Sequence, residues 1–337
     1  MVVQVRRGAR LADLTTLGVG GPIERLLEVT DAGELVAAVR DADEAGRPLL
    51  LLGGGSNVVA PDDGWPGDVV AVRTRGIDRR GDELTVQAGH DWDELVAVTV
   101  ANGLAGMEAL SGFPASTGST PVQNVGAYGQ EVAQTITAVR VYDRAGKEER
   151  TLAAEQCGFA YRDSRLKHDP ARFVVLDVTF ALHRGTDSRP IGYAELARTL
   201  GVELGETAPL AAVRSAVIEL RRGKGMVLDP ADPDSRSAGS FFTNPIVPVA
   251  RAVDGCPNWP AGDGLVKLSA AWLVQSAGFG RGTRQGNVGT SSRHSLALTT
   301  EPGATAAELL AFAGRIIAAV EERFGVTLVP EPTAVRP

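Results

Sequence analysis

Apolar and polar positions along this chain follow two rhythms, one helical and one alternating, and they change places along its length. Asp31 with Glu34, and Asp91 with Glu94, stand in capping-box spacing ahead of helical runs over 31–45 and 91–102, the second closed by Asn102-Gly103. Between them LLLL at 49–52, VVAV at 69–72 and LTVQA at 84–88 predict strands. ITAVRVYDRAGKEERTL at 136–152 predicts two strands joined by a turn at Asp143 to Gly146, and FVVLDVTFAL at 173–182 predicts a half-buried strand. After a turn-rich break, GTDSRP at 185–190, helical periodicity takes over at 193–200, 209–222, 266–277 and 305–324, the last opening with Thr305 and Glu308 in capping-box spacing. Helix and strand do not interleave regularly through the middle of the chain, which predicts α+β rather than a doubly wound parallel sheet, with a domain change near residue 200.

Length and composition narrow the class. The 337 residues amount to about two domains. Hydrophobic residues at 44% and charged residues at 22% exclude wholesale disorder. With 34 basic against 41 acidic residues the net charge is −7, so no global positive field draws in nucleic acid or an anionic membrane, and an anionic ligand needs a local basic pocket. Lysine occurs only at 147, 167, 224 and 267. Cys157 and Cys256 form no CxxC and no disulfide framework, which predicts a reducing, cytoplasmic setting. Arg6, Arg7 and Arg10 fall where a secretory signal needs an apolar core, so no such signal is expected.

The longest charge-free stretch, Ala109 to Gln130, is rich in Gly, Ser, Thr, Asn and Gln and is far too polar to span a bilayer. A loop of this length with no periodicity is usually functional, the alternative being an irregular surface loop. Upstream, LLLLGGGSNVV at 49–59 runs a strand into Gly53, Gly54, Gly55, Ser56 and Asn57, whose N–H groups could form a phosphate nest or merely a tight turn between strands. Neither a GxGxxG nor a P-loop is present, because Ile23 stands where the last glycine is needed and Gly223-Lys224 lacks its flanking residues. CGFAYRDSRLK at 157–167 offers either a guanidinium clamp for a carboxylate or a solvated ion-pair network. Arg214, Arg221, Arg222 and Lys224 offer either compensation of a helix dipole or a diphosphate site. Ser240, between Gly239 and two phenylalanines, reads as a turn serine or a placed one, and Glu331, held between Pro330 and Pro332 after VTLV, as a frayed or a positioned acid. No HExxH, GxSxG or metal-spaced Cys/His group occurs, and no metal is expected.

Taken together, TTLGVGG at 15–21, LLGGGSN at 51–57, LSGFPASTGSTPVQNVGAYGQE at 110–131, YRDSRLK at 161–167, GKGMVLDP at 223–230, AGSFFTNP at 238–245, VKLSAAWLV at 266–274 and VPEP at 329–332 resemble, in order and over nearly the whole chain, the UDP-N-acetylenolpyruvoylglucosamine reductase family of bacterial peptidoglycan precursor synthesis. The resemblance implies an α+β fold with a vanillyl-alcohol-oxidase-type FAD-binding region of two subdomains, 1–73 and 74–200, a C-terminal α+β substrate-binding domain, 201–325, and a segment, 326–337, returning to the active site. It implies non-covalent FAD held by Gly53, Gly54, Gly55, Ser56, Asn57, Gly112, Ser116, Gly118, Ser119, Asn124 and Gly126, with NADPH as co-substrate and UDP-N-acetylglucosamine enolpyruvate as substrate. Arg162, Ser240 and Glu331 match catalytic positions, with Ser240 as proton donor. Tyr128, Tyr161, Tyr193, Lys224, Asn244 and Lys267 match substrate-binding positions, Tyr193 on the lid loop of the family's longer form. The family's Asn-Tyr-Pro reads Asn258-Trp259-Pro260 here, and an indole lacks the phenol acceptor. A monomer without nucleic-acid or membrane partners is expected. Two rivals are an oxidase on the same flavin fold, disfavoured because the Gly-rich loop has no His or Cys to tether a flavin, and a nucleotide-sugar-binding regulator.

Overall fold

The computed structural model describes residues 4–337. In the first subdomain the strands Ile23–Val29, Trp65–Val72 and Leu49–Leu52 lie side by side and parallel, with Val5–Arg6 antiparallel on the outer edge of Ile23–Val29. A parallel pair needs a crossover, and helix α1 (Ala32–Glu44) supplies the one that links Ile23–Val29 to Leu49–Leu52. Asp31 caps α1 by accepting the Glu34 N–H at 2.9 Å, but the Glu34 carboxylate reaches past the cap to the Thr30 N–H, so the reciprocal half of the expected box is displaced by one residue. The apolar face of α1, including Leu35 and Val39, packs on Leu27 and Val70 and also meets Tyr142 and Leu176 of the next unit, so the two subdomains share one core.

The second subdomain is a five-stranded antiparallel sheet in the order Glu148–Ala153, Ile136–Asp143, Phe173–Ala181, Glu83–Gln87, Ile77–Arg80. The expected hairpin and the expected strand at 173–182 are both there. Helix α2 (Trp92–Ala101), capped by Asp91, buries Trp92, Leu95 and Val96 under this sheet. The Trp92 indole N–H donates to the Leu110 carbonyl at 2.9 Å, which pins the start of the long charge-free loop to the core. Short helix α3 (Arg165–His168) follows the YRDS segment, and α4 (Ala194–Leu200) and α5 (Leu210–Gly223) pack with Ala109 and Ile191. Residues just past 200 therefore share a core with the loop before them.

The C-terminal unit holds a sheet in the order Ser237–Ser240, Ala297–Thr300, Val288–Thr290, Arg284–Gln285, and a three-stranded sheet with Leu265–Leu268 between Ile246–Pro248 and Asn258–Pro260. Helix α6 (Ala270–Ser276) begins later than its periodicity predicts. The run 266–277 is a strand followed by a helix, because Val266 and Leu268 alternate into the core and Ser269 then caps α6 by accepting the Trp272 N–H. Helix α7 (Ala306–Phe324) opens with the full Thr305–Glu308 capping box and inserts Leu309, Phe312, Ile316 and Val320 at helical spacing into the core, each worth about 1.5–3 kcal/mol. Beyond α7 the chain crosses back, and Thr333–Ala334 pairs in parallel with Val58–Val59 of the first subdomain. Cys157 and Cys256 are buried free thiols, and burial pushes that of Cys157 up to about 11. Among the described residues no helix is long and apolar enough to cross a membrane.

Gly55 is where this assembly tolerates least change: its φ is +63°, and a Cβ there would stand 1.9 Å from the Leu14 carbonyl oxygen. Gly55→Ala is expected to cost roughly 1–3 kcal/mol or more, read as a lowered denaturation midpoint with an unchanged slope.

Candidate active site

The glycine loop leaves its strand at Leu52 and lies against the long charge-free loop. A Cβ at Gly53 would meet the Ser116 hydroxyl at 2.0 Å and one at Gly54 the Pro114 carbonyl at 2.6 Å, so glycine alone permits the approach. The backbone N–H groups of Gly54, Gly55, Ser56 and Asn57 donate to no acceptor among the described residues. Gly55 is buried and Ser56 and Asn57 half-buried, and four successive unpaired N–H groups beside a hydroxyl-bearing loop can serve as a nest for an anion such as the diphosphate of a dinucleotide. Ser116, Gly118 and Ser119 form the opposing turn, held by Thr117 N–H to the His90 carbonyl and Gly118 N–H to the Ala88 carbonyl. His90 itself is buried with both ring nitrogens unpartnered, and burial holds its imidazole below the ordinary range.

The same loop carries the strained part of the site. The non-glycine residues with positive φ among those described are Asn124, Tyr128, Lys147 and Arg162; the first two lie in this loop and Arg162 in the turn packed against it. Asn124 is locked by its side chain, which donates to Glu131 and to the Ala160 carbonyl at 2.9 Å and accepts the Ala133 N–H. Arg162 sits at the tip of a turn closed by paired bonds between Ala160 and Asp163, with Lys167 donating to its carbonyl at 2.9 Å. Its guanidinium donates to the Gly126 carbonyl and places Nε 3.2 Å from Glu331 Oε1.

Glu331 arrives from the far end of the sequence. Its N–H donates to the Phe241 carbonyl at 2.8 Å, one residue after Ser240, and its carbonyl accepts from the Asn57 amide. Burial raises the Glu331 carboxyl above the ordinary carboxylate range, and the charges of Arg162 and Lys167 offset this only in part. Ser240, half-buried at the end of its strand, has a hydroxyl that bonds to nothing among the described residues. Tyr161 adjoins Arg162 with the Lys267 ammonium 4.8 Å from its ring centroid. Arg162, Glu331, Tyr161 and Lys267 are thus brought together, and Ser240 precedes the residue whose carbonyl holds the Glu331 backbone.

A second group lies near the end of α5. Tyr128 meets Tyr193 edge-on at 5.4 Å, and burial pushes its phenol up to about 12. The Lys224 ammonium is 5.5 Å from the Tyr128 ring and pairs with Glu195 at 2.5 Å. Tyr193 is 41% exposed, as a residue able to close over a ligand must be.

A model of the UDP-N-acetylenolpyruvoylglucosamine reductase C-terminal domain matches residues 230–335, and a model of an FAD binding domain matches residues 23–152. The UDP-N-acetylenolpyruvoylglucosamine reductase of Thermobifida fusca is 52% identical over 353 aligned positions, covering 99% of either chain. That of Streptomyces coelicolor is 51% identical over 348, covering 99% of this chain and 91% of the other. The chain belongs to the UDP-N-acetylenolpyruvoylglucosamine reductase family. The crystal structure of UDP-N-acetylenolpyruvylglucosamine reductase from Thermus caldophilus matches the fold with a TM-score of 0.70 at 26% identity, covering 99% of this chain and all of that one. The chain is thus an α+β protein with an FAD binding domain followed by the family's own C-terminal domain.

Two expectations change against the structure. Of the basic residues on α5, Arg214 forms a two-pronged ion pair with Asp93, and the fully buried Arg221 donates to the Gly112 and Met226 carbonyls with its guanidinium carbon 3.7 Å from the Phe113 ring centroid, so neither is free for a diphosphate. Asn244 spends its side-chain oxygen on the Ala270 N–H at the start of α6, leaving only its amide nitrogen for a ligand. Sequence reasoning missed Gln123, which contacts Glu331, Glu195, which holds Lys224, and His294, pushed down to about 4 by burial and by Lys224 and Arg281. None carries a composition or spacing signal.

The raised Glu331 group makes a signed prediction. Its native form holds a proton over a pH range in which the unfolded chain has lost it, so ionisation costs stability as pH rises above the ordinary glutamate range. Glu331→Gln is therefore expected to melt higher than the unsubstituted protein at pH 7, the gap closing as pH falls below the ordinary glutamate value. A gap that widened on acidification would mean that the carboxylate form is the stabilised one.

Proposed function

We propose that this chain reduces the enolpyruvyl ether of UDP-N-acetylglucosamine enolpyruvate to UDP-N-acetylmuramate, with NADPH as electron donor and non-covalent FAD as carrier, in peptidoglycan precursor synthesis. The observation that carries the reading is the pairing of Arg162 with Glu331, whose backbone is bonded to the residue after Ser240 and to Asn57 of the glycine loop, in a chain that is about half identical to reductases of that name over nearly its full length. Residues Gly53 to Asn57, with Gly112, Ser116, Gly118, Ser119, Asn124 and Gly126, would hold the cofactor, the free N–H groups taking its diphosphate. Bound FAD supplies the hydride chemistry between NADPH and the terminal vinyl carbon.

Reduction at that carbon builds negative charge on the α-carbon and its carboxylate. The Arg162 guanidinium, always charged and held in its strained turn, stabilises that charge by a charge-assisted contact. Glu331, shifted by burial toward its protonated form, hydrogen-bonds the same carboxylate rather than repelling it. Ser240 then gives its hydroxyl proton to the α-carbon, a transfer that an enolic or carbanionic acceptor is basic enough to drive. Lys267, Tyr161 and the amide nitrogen of Asn244 take the nucleotide end together with Lys224, which must leave Glu195 to do so, and Tyr193 closes over the bound sugar nucleotide. We read the protein as a monomer acting in the cytoplasm, where NADPH and nucleotide sugars are supplied.

The test is the visible spectrum of the holoenzyme under anaerobic conditions. NADPH should bleach the flavin, and the enolpyruvyl nucleotide sugar, but not an alkene-free UDP-sugar, should restore it. A flavin restored only by O₂ would make this an oxidase. Ser240→Ala should leave bleaching fast and slow the recovery by roughly 10²-fold or more; equal loss in both half-reactions would remove Ser240 from proton donation. Arg162→Lys should slow the recovery too, because an ammonium cannot reproduce the planar fork, and normal turnover in that variant would rule out the clamp.

A further inference from the structure

Three residues from three distant blocks close a ring around one carboxyl oxygen. The backbone carbonyl of Glu331 can only accept, so the Asn57 amide nitrogen, 3.3 Å away, must be the donor. The same nitrogen donates to Gln123 Oε1 at 2.6 Å. With its oxygen so committed, Gln123 turns its own amide nitrogen to Glu331 Oε1 at 3.3 Å. The flipped amide would set donor against donor at Asn57 and oxygen against oxygen at Glu331, so the ring has one consistent orientation.

The backbone on either side of Gln123 is fixed independently of the ring. The Ser164 hydroxyl donates to the Val122 carbonyl at 2.6 Å, and Asn124 is buried in its left-handed conformation. Arg162 Nε is the ion-pair neighbour of the same Oε1 at 3.2 Å, and no protein group among those described hydrogen-bonds to Oε2. The oxygen that faces a cation and accepts the Gln123 N–H is the acceptor of the carboxyl, so the proton of the neutral acid sits on the other one.

Resting on the reading of Glu331 as the active-site acid, we infer that Gln123 is a positioning residue which, oriented by Asn57, commits Glu331 Oε1 as acceptor and so assigns the proton to Oε2, the oxygen left for the substrate carboxylate. The device ties the acid to the glycine loop that would carry the cofactor. The charged and titratable groups facing Glu331 are Arg162, Lys167 and Tyr161, all from one segment, and the two loops that contribute Asn57 and Gln123 add no charge of their own there.

The experiment compares Gln123→Leu and Gln123→Glu with the unsubstituted holoenzyme. Both should keep the flavin spectrum and reduce with NADPH at the normal rate. Recovery by the enolpyruvyl nucleotide sugar should slow about three- to tenfold in Gln123→Leu, the weight of one hydrogen bond to a neutral acceptor. Gln123→Glu, of equal length, should recover activity as pH falls, because only its protonated form can donate. Independently of turnover, the infrared carboxyl band assigned by difference against Glu331→Gln should titrate at higher pH in Gln123→Leu, since the carboxylate form loses a donor. An unmoved band with normal recovery overturns the inference, as does loss of flavin with normal recovery in what remains loaded. If the unsubstituted enzyme fails to pass electrons to the nucleotide sugar while the band still moves, the reading of the reaction fails and the positioning role stands.

Discussion

Glu331 reaches Arg162 because the last residues of the chain are held on two sides at once. Phe242 and Pro330 form a bridge, Thr243 and Glu331 alternate as donors across it, and Thr333–Ala334 pairs with Val58–Val59. One side of this clip belongs to the C-terminal unit and the other to the first subdomain, so the segment that carries Glu331 also staples the two. Ends of chains usually fray, since few contacts offset the entropy of ordering them. Here backbone pairing on both sides supplies those contacts, and the acid is as fixed as a core residue, 14% exposed on a terminal segment.

A similar economy governs the other half of the site. Helix α5 carries Lys224 at its end, and two arginines on the same helix bind the second subdomain, the half-buried Arg214 through Asp93 and the buried Arg221 through the Gly112 carbonyl and the face of Phe113. Asp93 also accepts the Gly112 N–H, so both groups of Gly112 are occupied by the clamp. Burial lowers the Arg221 guanidinium to about 10, still far above neutrality, and the cation is retained because carbonyl dipoles and an aromatic face replace its water. The position of Lys224 is therefore transmitted through the charge-free loop rather than through the backbone that leads to it.

Much of this was legible in the sequence, for identifiable reasons. Asp31, Asp91 and Thr305 mark helix starts because a cap is a local interaction three residues long, and the hairpin of 136–153 is written in an alternation that only one register satisfies. The cradle was legible because close backbone approach demands glycine. The run at 266–277 misled because a short strand and the helix after it are both apolar, and only Ser269 separates them. Gln123 and Glu195 were not legible at all. Their partners are 66 and 208 residues away in one case and 29 in the other, and an ordinary polar residue gives no sign of which distant group it will meet.

The charge of the site runs against that of the chain. A protein of net charge −7 gathers Arg162 and Lys167 around Glu331, sets Lys267 over the neighbouring Tyr161 ring, and keeps Lys224 paired to Glu195. Three of its four lysines stand within reach of these two groups, while the fourth, Lys147, lies at the tip of a distant hairpin. With bulk charge negative, long-range attraction does little for an anionic substrate, and the local excess of cations must act at short range, where burial protects it from screening. That is the situation in which an acid has to be neutral to be useful: an ionised Glu331 would cancel the guanidinium that the incoming carboxylate needs, whereas a protonated one adds a donor. Burial of the C-terminal clip raises the Glu331 carboxyl and so shifts it toward the neutral form, which neutralises Arg162 less.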